Sequence, residues 1–186
     1  LAGGAFAPGA LSVREKEIIA FGCAHALRCP YCIDYHHKLG TDAGASRAEL
    51  TDALWVAIAV AAQAPLAHAS IALRLLDGER PADFYTTGWQ APLDRLAESA
   101  PAAMRGYTAL QDAAFAAGAL TAPMKTLIAV ACAHNVRCPM SIERYVTQAL
   151  ADGSPRPAIA EAVFVAIEMA AGACLGHAGL AAALMA

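Results

Sequence analysis

Shifted by 109 residues, the chain overlays on itself without a gap. Residues 20–34, AFGCAHALRCPYCID, meet 129–143, AVACAHNVRCPMSIE; residues 53–69, ALWVAIAVAAQAPLAHA, meet 162–178, AVFVAIEMAAGACLGHA. Over 13–77 against 122–186, 24 of the 65 aligned positions are identical. Self-similarity of that extent means one structural unit used twice, each copy covering apolar surface of the other. The chain therefore divides into a first repeat over 1–78, a connector with short helices over 79–121 and a second repeat over 122–186, together one compact domain. Pro81, Gly88, Trp89, Pro92 and Pro101 punctuate the connector.

Local signals make the repeated unit helical. Ser12-Val13-Arg14-Glu15 has the form of a capping box, and apolar periodicity carries a helix from there to about Leu27. Cys29-Pro30 marks a fresh start, with Pro30 at the first helical position, where its missing N–H costs nothing. Ser46-Arg47-Ala48-Glu49 is a second capping box, opening a long helix from Arg47 with a possible kink at Pro65. The second copy repeats this plan, with Pro139 matching Pro30. Alanine supplies 49 of the 186 residues, which favours helix. No alternating strand pattern of useful length occurs, so the expected fold is all-α.

Charge and composition exclude several classes. Thirteen Lys and Arg against 16 Asp and Glu leave a net charge of -3, without the basic excess of a nucleic-acid binder. No Lys/Arg cluster is present to meet anionic lipid. At 58% hydrophobic and 16% charged residues, the chain has too much apolar surface to stay disordered. Residues 1–12 lack the charged and apolar regions of a secretion signal, so a cytoplasmic location is expected. The stretch after Glu168, MAAGACLGHAGLAAALMA, carries no Asp, Glu, Lys or Arg. Rich in Ala and Gly, it reads as a buried helix rather than a membrane span.

The chemistry concentrates in Cys29-Pro30-Tyr31-Cys32. At a helix start both sulfurs lie near unpaired N–H groups, and the helix dipole favours the reactive thiolate. His36 lies four residues beyond Cys32 on the same helical face, within reach of the thiol proton. A CxxC alone fits a redox pair, half a zinc site or chance. The Cys-Pro-Tyr-Cys tetrapeptide also occurs in glutaredoxins, but there it follows a strand, and here a helix precedes it.

The wider spacing is more specific. Glu17, eleven residues, Cys29, two residues, Cys32, three residues and His36, with Tyr31 between the cysteines, resembles the alkylhydroperoxidase D branch of the carboxymuconolactone decarboxylase family. The resemblance implies a duplicated alkylhydroperoxidase D-like helical bundle with peroxide-reducing or thiol-disulfide activity and no metal, haem or other cofactor. It implies Cys32 as the attacking thiol, Cys29 as the resolving thiol, Glu17 and His36 as a proton relay, and Tyr31 as a residue shaping the pocket. Helix-start geometry by itself favours Cys29 as the more acidic thiol. The implied partners are a hydroperoxide substrate and a dithiol reductant, dihydrolipoamide-type or thioredoxin-like. Single-copy members form hexamers, so a fused pair implies a homotrimer.

In the second copy Thr126 stands for Glu17, Met140 for Tyr31, Ser141 for Cys32 and Tyr145 for His36. It reads as a structural half that has lost its chemistry. His25 recurs as His134, His68 as His177 and Cys23 as Cys132, a pattern that points to packing and hydrogen bonding rather than catalysis. His37, about 100° around the helix from His36, is expected in solvent or at an interface. Trp55 and Phe164 occupy matching places that suit core or subunit contact, and Phe84, Tyr85 and Trp89 suit either the site or an anchor for the connector. Two rival functions are a cofactor-free decarboxylase of a carboxylated lactone and a zinc-stabilised module that recruits Cys23 or His25.

Overall fold

The capping signals mark the element boundaries. A computed structural model of the chain describes residues 1–79 and 88–185, and within them every regular element is a helix. The helices are α1 (Ala2–Ala5), α2 (Val13–Ala26), α3 (Pro30–Asp42), α4 (Arg47–Leu76), α5 (Leu93–Ser99), α6 (Pro101–Phe115), α7 (Ala122–Asn135), α8 (Pro139–Ala151) and α9 (Arg156–Met185). Ser12 and Ser46 close both halves of their capping boxes with Glu15 and Glu49. Thr121 caps α7 through the Met124 N–H alone, because no carboxylate follows it at the third position. Cys29 and Cys138 cap α3 and α8, each sulfur accepting the N–H three residues on. α4 continues through Pro65.

The two copies are interlocked rather than adjacent. α2 and α7 cross at the centre, where Gly22 lets the helices close in: a Cβ there would lie 2.8 Å from Ile128 Cγ2. Cys23 and Cys132 meet in this contact, fully buried, as small apolar residues do. The hydrogen bond with Cys23 and burial push the Cys132 thiol well above its ordinary range, which keeps it inert. The long helices then reach across. α4 packs on α2 of its own copy and on α7 and α8 of the other; α9 packs on α7 and also on α2 and α3.

Two crossed ion pairs fix this exchange. Lys16 Nζ lies 2.9 Å from Glu161 Oε2, and Lys125 Nζ lies 3.4 Å from Asp52 Oδ2. Both lysines are almost fully buried, so each charge needs its partner from the other copy. The same carboxylates accept the Leu11 and Leu120 N–H groups, both at 2.9 Å. A Cβ on Gly9 or Gly118 would overlap the Glu161 or Asp52 carboxylate. All of these pairs obey the 109-residue shift. The repetition therefore extends upstream of residue 122, through FAPGALS at 6–12 and FAAGALT at 115–121.

One expectation is corrected. The apolar stretch after Glu168 is helical but not buried: Met169 is the last buried residue of α9, and Leu184 is 90% exposed. The corresponding end of α4 is covered by the connector, where Trp89 and Leu93 pack on Ala64 and Ala67. No described segment covers α9 in that way. By length and composition both α4 and α9 could cross a membrane; their apolar windows are 44% and 28% buried. Trp55 and Phe164 lie on the surface and not in the core. Trp89 anchors the connector, while Pro81, Phe84 and Tyr85 fall outside the described residues.

Candidate active site

The turn between α2 and α3 sets up the cysteine pair. Arg28 adopts a left-handed φ of 56°; its N–H donates to His25 O at 3.0 Å and the Cys29 N–H to Ala24 O at 3.1 Å. This is a Schellman ending with arginine where glycine is usual, at a cost of about 1 kcal/mol. Arg137 repeats it with the same φ. The turn delivers Cys29 as the N-cap of α3 and puts Cys32 on its first turn. The two sulfurs are joined as a disulfide, with Cα atoms 5.3 Å apart. Cys29 is fully buried; Cys32 lies above it and lines an open groove.

His36 follows one turn later on the same face. Its Nδ1–H donates to Glu17 Oε2 at 2.8 Å, and both side chains are buried. A carboxylate partner fixes the tautomer and leaves Nε2 as the free ring nitrogen. Phe6 stacks on the imidazole at 5.7 Å, and Tyr35 meets it edge-on at 5.2 Å. Tyr31, 52% exposed, stands at the rim and meets His177 of α9 edge-on at 5.3 Å. Thus Glu17, Cys29, Cys32 and His36 are brought together, with Tyr31 beside them.

The groove encloses about 570 Å³ between α3 and α9. Cys32, Asp34, Tyr35 and His36 form one side; Glu168, Met169, Gly172 and Gly176 form the other. Half of the site therefore comes from the second copy, which is more than a structural half. Sequence reasoning missed Phe6, Asp34, Glu168 and the two glycines. One signal was available for Glu168, a lone carboxylate in the apolar run AVFVAIEMAAG, where the first copy has Ala59.

In the second copy the cysteine position is closed, while Thr126 and Tyr145 line a different cavity of about 450 Å³ with Phe115, Arg144 and Asp152. Tyr145 occupies the His36 position, stacked on Phe115 at 5.7 Å and donating its O–H to Gln63 Oε1 at 2.5 Å. Burial raises its phenol far above the ordinary value. Thr126, in the Glu17 position, donates to Asp152 Oδ2 at 2.7 Å. Ser141 Oγ donates to Cys138 Sγ at 3.0 Å, and both residues are fully buried beneath Met140 and Trp89. The recurring histidines His25, His68, His134 and His177 each engage the carbonyl four residues back at 2.8–2.9 Å, and His68 Nδ1 also lies 3.7 Å from Cys138 Sγ. His37 is exposed. Cys23 and His25, the further ligands for a zinc site, are thus engaged elsewhere. No metal-ligating cluster of three forms among the described residues.

The family model described as "Carboxymuconolactone decarboxylase family" matches residues 1–75 and 101–184, so two segments correspond to the two copies. A protein described as "Uncharacterized protein 4 in cox locus", from Paracoccus denitrificans, is 44% identical over 72 residues, which is 39% of this chain. The match spans 65% of that relative's own length. No solved structure matches. The second match opens at residue 101 and so takes in α6, whose Phe115 stands to Tyr145 as Phe6 stands to His36. With both segments covered, the chain belongs to the carboxymuconolactone decarboxylase family.

Proposed function

We propose that the chain is a thiol-dependent peroxidase, reducing hydroperoxides through Cys32 and Cys29. The observation that carries this reading is a vicinal cysteine pair with one sulfur facing a groove, beside an imidazole backed by a buried carboxylate. The Cys32 thiolate attacks the hydroperoxide; the S–O bond forms as the O–O bond breaks, giving a sulfenic acid. The departing alkoxide takes a proton from His36, whose charge Glu17 stabilises, and leaves as the alcohol. Cys29 then gives its thiol proton to His36 and attacks the Cys32 sulfur, forming the disulfide as the S–O bond breaks; the proton passes from His36 to the departing hydroxide, which leaves as water. A dithiol donor, dihydrolipoamide-type or thioredoxin-like, returns both cysteines to thiols by exchange and is itself oxidised to a disulfide. The greater access of Cys32 supports its role as the attacking sulfur.

A reducing compartment such as the cytoplasm would sustain this cycle. Trp55 and Ile58 on α4, with Phe164 and Ile167 at the matching places on α9, expose apolar surface twice over. That repetition supports a homotrimer with pseudo-sixfold packing.

The test is intact mass and thiol titration of the fully reduced protein before and after a small excess of tert-butyl hydroperoxide. Loss of two thiols and two hydrogens, abolished in Cys32→Ser, is expected. Two thiols still titratable would overturn the proposal and favour the lactone decarboxylase.

A further inference from the structure

We propose that the groove is charge-selective: Asp34 and Glu168 turn away anions, so the molecules that reach Cys32 are uncharged or cationic at the end that enters. The inference rests on the peroxidase reading only for naming those molecules as hydroperoxide and thiol. Asp34 comes from α3 and Glu168 from α9, so an acidic residue lines each side of the groove. Neither forms a salt bridge among the described residues. No Lys or Arg lines the groove. The nearest lysine in sequence, Lys38, one turn beyond Asp34 on α3, is paired with Asp42. Glu17 adds a third negative charge below the floor, balanced only when His36 is protonated.

The second copy supplies the decisive member. Gly172 sits one turn beyond Glu168, and a Cβ there would lie 3.7 Å from Glu168 Oε1. The glycine places no side chain against the carboxylate there. In an open, wet groove two such charges act over a few ångströms through partly screened solvent. An effect on the order of tenfold between oppositely charged reagents follows, shrinking as salt is raised. Neutral apolar hydroperoxides and uncharged dithiols meet no such barrier; carboxylated substrates do.

The test uses the reduced full chain carrying Cys29→Ser and Cys174→Ser, so that Cys32 is the accessible thiol. Its rates with 2-aminoethyl and 2-sulfonatoethyl methanethiosulfonate are compared with those of 2-mercaptoethanol. The cation-to-anion ratio is expected to exceed the reference ratio about tenfold at low salt and to fall towards it in 1 M salt. Glu168→Gln is expected to lower the excess, and adding Asp34→Asn to remove most of it. A ratio equal to the reference, or an excess that both substitutions leave untouched, overturns the inference. This readout needs no peroxide turnover. Hydroperoxide-inert thiols with the charge preference intact would sink the peroxidase reading alone; oxidation by peroxide without the preference would sink this inference alone.

Discussion

The two copies share a backbone plan down to one left-handed arginine, yet one presents an open dithiol groove and the other buries its lone motif cysteine. Four substitutions and one covering segment account for the difference. In the first copy Glu17 and His36 form a buried ion-pair-like contact beneath an accessible sulfur. In the second, Thr126 and Tyr145 satisfy their hydroxyls on Asp152 and Gln63, and Cys138 is buried in one apolar cluster with Met140 and Trp89. The long helix of the closed copy meanwhile became a wall of the open one, so the closed copy still takes part in the site.

The contrast can be broken or sharpened by experiment. Glu17→Thr, which copies the second repeat, is expected to slow peroxide-driven thiol loss on the order of a thousandfold, because His36 loses the carboxylate that orients and charges it. Stopped-flow thiol kinetics at unchanged far-UV circular dichroism would check this. An unchanged rate would show that the Glu–His pair distinguishes the copies without serving the chemistry.

The crossed ion pairs come next. Glu161→Gln can keep only one of the Ala10 and Leu11 hydrogen bonds, since its NH2 cannot accept, and it leaves the buried Lys16 ammonium opposite a neutral amide, at a cost of about 3 kcal/mol. Asp52→Asn should cost less, since Lys125 also donates to two carbonyls, Ala114 and Ala116, at 3.2 and 2.8 Å, whereas Lys16 has one, Ala7 at 2.5 Å. Urea midpoints of the two variants test this asymmetry; equal losses would erase it.

The same carboxylate predicts an acid limb. Partial burial lifts the Glu161 carboxyl, but the hydrogen bonds from Lys16, Leu11 and Ala10 outweigh it and hold the group below its ordinary value of 4.5. A group depressed in the folded state contributes fully above its unfolded value, and that contribution fades as pH falls through the folded one. Tm should therefore drop below about pH 4.5, and Glu161→Gln should flatten that slope. A slope unaltered by the substitution would assign the acid sensitivity elsewhere. The smallest effect belongs to the shared turn. Arg28→Gly and Arg137→Gly each relieve a left-handed non-glycine residue and should raise stability by about 1 kcal/mol in thermal melts.

Much of this was legible in the sequence because it is written locally. Ser12 and Ser46 with their glutamates, and proline after Cys29 and Cys138, mark helix starts within a few residues. The register of Glu17, Cys29, Cys32 and His36 survives because a helix followed by a fixed turn leaves little freedom. What escaped was long-range. Nothing local says that α9 faces α3, so Glu168 and Gly172 could not be placed beside Cys32. The buried lysines were visible only as one identity among 24, and their partners stand far along the chain. The FAPGALS and FAAGALT match was in plain view but lies upstream of Val13 and Ala122, where the repeated helices begin. The bare end of α9 could not be foreseen from composition, because the matching stretch of α4 is equally apolar and is covered.

The interlocking of the copies also sets an order of events during synthesis. Cys29 and Cys32 emerge early, whereas the residues that wall their groove come from the last helix. The Ala10 N–H waits 151 residues for the carboxylate that accepts it. Contacts so distant form late, after the entropy of closing a long loop has been met. Until then a nascent chain displays a dithiol without a pocket, open to any oxidant or thiol nearby. A messenger cut short before α9 would yield both cysteines and no groove.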